Sequence, residues 1–215
     1  KGPVIIIANE FFDSLPIKQY VYKNKNWYEK YVELKNYNTL NFLYKRVSLP
    51  NFKKICKLDI SKNQKFIEFS IEMINYIKKI SKLINIHNGG LICFDYGFQN
   101  KKMFNTLQSV KNHSYSKILL NPGKQDITHL INFSFLSNLI KELNLEYEGI
   151  TNQGFFLKKM GIIERANIIS KKYKFKKKLD LFYRLKRLIH PNEMGNVFKV
   201  IYIKKKGQNF NLGFN

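Results

Sequence analysis

The sequence predicts an α/β fold with a largely parallel sheet and an antiparallel β insertion, and three observations carry that prediction. Residues 4–8 form an unbroken β-branched run, Val-Ile-Ile-Ile-Ala. Residues 91–94, Leu-Ile-Cys-Phe, form a second one after a helical stretch. Between them the pattern switches to period two with many aromatic residues. A β-branched run without alternation suits a strand buried on both faces of a parallel sheet, and strand–helix–strand order is the signature of an α/β unit.

The first run ends at Asn9-Glu10-Phe11-Phe12-Asp13-Ser14-Leu15-Pro16, where polar residues enter abruptly and Pro16 stops any helical turn. Strands are then expected over 19–23, 27–34 and 40–47, with Asn24-Lys25-Asn26 as the first turn. Residues 51–65 read as irregular. Apolar residues at helical spacing from Phe66 through Met73 and Ile77 to Ile84 predict one long amphipathic helix over 66–84. His87-Asn88-Gly89-Gly90 breaks it, and the second buried strand runs on into Asp95-Tyr96-Gly97-Phe98. Further along, a helix over 133–143 capped by Asn132, a strand near 145–151, helices near 153–170 and 176–188, and a last strand over 197–203 are expected. The basic stretch 171–178 reads as a solvated helix start.

The 215 residues suffice for one domain with an insertion, and 44% hydrophobic with 25% charged residues is ordinary for a globular chain. No apolar run reaches the roughly 18 residues of a membrane helix, so membrane insertion is not expected. The chain opens without Met and without a signal-peptide pattern, and we read it as a fragment. Two cysteines, Cys56 and Cys93, and four scattered histidines, His87, His113, His129 and His190, show no metal-ligand spacing. The net charge of +23 rests almost wholly on lysine: among 38 basic residues only Arg46, Arg165, Arg184 and Arg187 are arginines. Base and phosphate recognition leans on the guanidinium fork, and the accompanying Asn, Ile, Tyr and Phe are what AT-rich codons produce. A specific nucleic-acid partner is therefore not expected.

Ligands of open α/β sheets gather at the carboxyl ends of the strands. Two such ends are visible, Asn9 to Asp13 and Asp95-Tyr96-Gly97. If Glu10 begins a helical turn, Asp13 shares its face, and two carboxylates suit a guanidinium because each accepts a pair of N–H donors. In the plainer reading Asn9 caps the turn, Glu10 satisfies a backbone amide, Asp13 is solvated and Phe11-Phe12 pack the core. For Asp95-Tyr96-Gly97 a tight turn and a ligand contact both stay open.

These residues carry a resemblance. Ala8 to Pro16 is similar to the segment "ANEFFDALP" of the MidA family of methyltransferases. Residues 89–97, Thr106-Leu107-Gln108, Asn121-Pro122-Gly123 with Asp126-Ile127-Thr128, Gln153-Gly154-Phe155-Phe156-Leu157, Met160-Gly161-Ile162 with Glu164-Arg165, and Met194-Gly195 with Phe198-Lys199-Val200 follow in the family's order.

The resemblance implies the C-terminal part of a Rossmann-like class I methyltransferase, with S-adenosyl-L-methionine as cofactor and arginine on a respiratory complex I subunit as target. It implies Glu10 and Asp13 as catalytic, Asn9 beside the cofactor, and Tyr96, Asp95, Phe11 and Phe12 at the substrate. The expected division is 1–16 with 66–204 as a partial methyltransferase domain lacking its first strands, 17–65 as an inserted β-rich subdomain and 205–215 as a tail. The order of segments implies, by the resemblance, that the chain starts at the family's fourth strand, so the Gly-rich cofactor turn is not expected within it. A bacterial cytoplasm or a mitochondrial matrix fits, and a homodimer is a further expectation. Two other function classes stay open, a non-catalytic assembly or binding module and a nucleic-acid methyltransferase.

Overall fold

The computed structural model describes residues 2–35, 39–111, 114–209 and 213–214. His113 and residues 210–212 and 215 of the expected tail lie outside them. In chain order the elements are β1 (Val4–Asn9), β2 (Lys18–Lys23), β3 (Asn26–Lys35), β4 (Thr39–Val47), α1 (Phe52–Cys56), β5 (Phe66–Phe69), α2 (Ile71–His87) and β6 (Gly89–Phe98). Then follow β7 (Gln108–Lys111), β8 (Ser114–Tyr115), β9 (Asp126–Thr128), β10 (Ile131–Asn132), α3 (Phe133–Glu142), β11 (Leu145–Asn152), α4 (Gln153–Lys159), α5 (Ile162–Ser170), α6 (Phe175–Ile189) and β12 (Phe198–Lys205).

Two compact units result. The first comprises 1–10, 81–97 and 144–215, and the second 11–80 and 98–143. The first holds a sheet in the order β1-β6-β12-β11. β1 lies parallel to β6, in register from Val4 opposite Gly89 to Asn9 opposite Phe94, whereas β12 runs antiparallel to both β6 and β11. Its core gathers Leu91, Cys93, Val200, Ile201 and Ile203, all at most 1% exposed. Gly89 is required where β1 and β6 begin: its φ is +98° and a Cβ would stand 2.0 Å from the Val4 carbonyl oxygen. Phe214 rests on Phe156 at 5.2 Å between ring centroids, so the end of the expected tail is packed.

The expectation that β1 is buried on both faces is corrected. Ile5 and Ile7 are 73% and 72% exposed, while Ala8 is buried. Side chains alternate across a strand, so β1 hides one face only and places its odd-numbered isoleucines in solvent.

The second unit is built on an antiparallel sheet, β4-β3-β2-β5, in which the three expected strands appear with the Asn24-Lys25 turn between the first two. Both turn residues have positive φ, 48° and 61°, as a tight hairpin with matching twist requires. The fourth strand is a correction to the predicted helix over 66–84. Phe66–Phe69 pairs with β2 from Lys18 opposite Phe69 to Val21 opposite Phe66. Helix α2 starts only after Ser70, whose hydroxyl accepts the Met73 N–H at 3.1 Å. Four residues with Phe, Ile and Phe fit period two as well as period 3.6, and pairing with β2 decides between them. The segment 51–65 is also less irregular than expected, since Asn51 caps the short α1. Asn132 caps α3 as predicted, accepting from the N–H groups of Ser134 and Phe135.

Candidate active site

The first unit places Asn9 and Glu10 at the carboxyl end of β1, both exposed. Glu10 does not begin a helical turn. Its φ is +48°, the left-handed region that a side chain disfavours, and its N–H donates to the Phe94 carbonyl at 3.0 Å. That bond continues the β1–β6 ladder by one rung and fixes the direction in which the chain leaves the sheet. A non-glycine residue in this region costs about 1 kcal/mol and recurs at functional sites. Asn9 Nδ2 lies 3.4 Å from Glu10 Oε1.

On the neighbouring strand Asp95 has no exposed surface, and its carboxylate accepts the Tyr96 N–H at 2.9 Å. Tyr96 is half-buried, its ring 4.0 Å from that of Phe198. Asp95 therefore holds the strand end, and Tyr96 is the member of the pair that keeps some surface.

The remaining expected site residues belong to the second unit. Phe11 is 38% exposed and meets Phe12 and Tyr76 edge to face, at 5.2 and 5.1 Å. Phe12, expected at the substrate, has no exposed surface and packs the core, the plainer of its two readings. Asp13 is only 3% exposed, which rules out the solvated reading. It sits in a turn closed by the Leu15 N–H on the Phe12 carbonyl at 3.3 Å, and its own carbonyl accepts the His129 N–H at 3.0 Å.

His129 had no sequence signal beyond being a scattered histidine, yet it braces the Asp13 turn from 116 positions away in the chain, the difference between 129 and 13. It is 6% exposed, and among the described residues its Nε2 meets no hydrogen-bond partner. Burial pushes its pKa below the ordinary 6.5, against the opposing pull of Glu68 and of nearby backbone carbonyls. Next to His129 in the chain, the Leu130 N–H donates to the Thr106 hydroxyl oxygen at 2.9 Å, and Thr106 binds Glu68 through both its hydroxyl and its N–H. Gln19 donates to Glu68 and Asn105. The Thr106-Leu107-Gln108 segment thus holds loops together.

Glycines of the later segments serve packing. A Cβ on Gly154 or on Gly195 would stand 2.5 Å from the Ile189 carbonyl oxygen. At the β1–β6 end, Gly89 lies at the amino terminus of its strand and serves strand approach, as does Gly90, whose Cβ would meet the Ile203 carbonyl at 2.6 Å. Among the described residues the carboxyl ends of β1 and β6 supply carboxylates, an amide and a ring. They do not form a cradle for adenosylmethionine.

The strained, exposed carboxylate of Glu10 stands at the carboxyl end of a parallel strand, where ligands of open α/β sheets gather. The family follows from comparison. Residues 1–151 match the family described as "Putative S-adenosyl-L-methionine-dependent methyltransferase", Methyltransf_28, and the chain belongs to it. It is 26% identical over 199 residues to the zebrafish (Danio rerio) mitochondrial protein arginine methyltransferase NDUFAF7, covering 93% of this chain and 47% of that protein. It is 30% identical over 166 residues to the Caenorhabditis elegans homologue, covering 76% of this chain and 39% of that one. A COG1565 superfamily structure from Burkholderia thailandensis bound to S-adenosyl-homocysteine superposes with a TM-score of 0.78 at 19% identity, covering 99% of this chain and 56% of that one. The fold is shared with that structure. The chain spans about half the length of the curated relatives it matches.

Proposed function

We propose that the protein is an S-adenosyl-L-methionine-dependent protein arginine methyltransferase, and that this chain supplies the side of the site that receives the arginine. The observation that carries the proposal is Glu10: an exposed carboxylate held at φ +48° where β1 ends beside β6. The family's cofactor supplies a methyl group, and the mitochondrial relatives carry the name of arginine methyltransferases.

A free guanidinium spreads its charge over three nitrogens and is a poor nucleophile. The Glu10 carboxylate accepts two of its N–H groups in a fork, which orients the third nitrogen outward and draws positive charge away from it. Because the Phe94 carbonyl anchors the Glu10 backbone, this grip needs little rearrangement on binding. The carboxylate also stands ready to take the proton that the nitrogen gives up. Tyr96 lines the same strand end, and Asp13 is the second acidic candidate. By the same reading the target is a complex I subunit and the setting a mitochondrial matrix or a bacterial cytoplasm.

The test is Glu10→Gln in a preparation that methylates arginine. It keeps size and polarity but loses the paired acceptors, so methyl transfer should fall at least about a hundredfold, the usual scale for one electrostatic group. Unchanged turnover would remove Glu10 from the mechanism.

A binding-module reading is favoured by a different observation: the sheet of the second unit exposes Tyr22, Tyr31 and Tyr44, each 38–43% open, and such aromatics are enriched at interfaces. Calorimetry with S-adenosyl-L-methionine, on a preparation that includes the family's Gly-rich cofactor turn, separates the readings, because a scaffold has no need to bind it.

A further inference from the structure

We propose that α6 is a peripheral membrane-binding helix that adsorbs to anionic phospholipid surfaces. Phe175, Leu179 and Tyr183 recur every four residues and so stack in one row, and they are 77%, 56% and 71% exposed. The row does not feed the core. Leu185 is the buried residue of the helix, and at about 100° per residue it lies about 120° round from Leu179. Beside the row, on the side away from Leu185, stand Lys176 and Arg187, with Lys186 inside it; all three are exposed. The single acid of the helix, Asp180, is engaged by Arg184 at 3.0 Å.

An apolar row bordered by lysines, on a helix otherwise rich in charge, is the pattern of a segment lying at the boundary of headgroups and acyl chains. Leu179 and Phe175 enter the apolar layer, Tyr183 keeps its hydroxyl among the headgroups, and the lysines meet lipid phosphates. The helix has 15 residues, and no helix among the described residues is long and apolar enough to cross a membrane, so it lies on the surface. Single-stranded RNA would meet the lysines and stack bases on Phe175 and Tyr183, but it offers no aliphatic layer for Leu179, which a membrane does, and it is kept as an outcome of the test.

The experiment is co-sedimentation of the chain with vesicles of phosphatidylcholine and phosphatidylglycerol in equal parts, and of phosphatidylcholine alone. Binding is expected to the mixed vesicles only. Replacing Lys176, Lys186 and Arg187 with Gln should weaken it about a hundredfold, since each basic residue near an anionic surface contributes roughly a factor of five. Replacing Phe175, Leu179 and Tyr183 with Ser should weaken it at least about tenfold at unchanged charge. Tyr183→Ser alone, with circular dichroism to verify helix content, covers the case in which the triple variant unfolds. The proposal is overturned if the Ser variants bind as the unmodified chain does, which leaves diffuse charge attraction only. It is equally overturned if the chain binds polyuridylate or polyglutamate and not the vesicles. A dimer in analytical ultracentrifugation that the Ser triple abolishes would assign the row to self-association instead.

Discussion

The N–H of Glu10 donates to the carbonyl of Phe94 at 3.0 Å, one step beyond the parallel pairing of β1 with β6. That bond is made with Glu10 in a left-handed backbone conformation, so the strand end is held and strained at one residue. Glu10→Gly should relieve the strain and raise stability by about 1 kcal/mol while removing arginine methylation. Urea unfolding measures the first effect; a fall in stability would show that the carboxylate itself holds the strand end together.

Asp13 offers a graded comparison. Asp13→Asn should reduce methyl transfer less severely than Glu10→Gln, because the turn survives through its backbone bonds to His129 and between Phe12 and Leu15. Turnover equal to that of the unmodified protein would leave Asp13 with a purely structural part.

His129 makes the second unit sensitive to acid. Its pKa is lowered by burial, so between that value and 6.5 the unfolded chain binds a proton that the folded one refuses. Stability is then full above 6.5 and lost as pH falls below it. His129→Gln should flatten this slope, as read from urea midpoints on either side of 6.5. A slope that persists in the variant would assign the acid sensitivity to other groups.

Lys204 is 5% exposed and binds Glu148, with Glu146 at 3.7 Å and the Gln208 carbonyl also near. Glu148→Ala leaves a buried cation short of its main partner and should cost about 2 to 3 kcal/mol. Replacing Lys204 and Glu148 together with Met should recover most of that loss. A harmless single substitution would mean that Glu146 suffices.

Gly89→Ala should prevent the β1–β6 pairing, because the new methyl would stand 2.0 Å from the Val4 carbonyl at a φ of +98°. Far-ultraviolet circular dichroism of the expressed chain checks this; native-like spectra and stability would show that the strands slide apart at little cost.

Local chemistry made much of this protein readable in advance. Asn132 as a helix cap, the Asn24-Lys25 turn, the β-branched strands and the helices near 153–170 and 176–188 follow from hydrogen bonds and torsions within a few residues. The family was legible too, because its segments lie in order along the chain. Tertiary structure alone decided the rest. It made Phe66–Phe69 a strand by offering β2 as a partner, exposed Ile5 and Ile7 by covering one face of β1, and enclosed Phe12 and Asp95. It also brought His129 under the Asp13 turn across 116 intervening steps of chain. Residue order dictates what a segment can form by itself. Which face is covered, and by what, depends on neighbours that are distant in the chain, and burial is where the energy of choosing between local alternatives comes from.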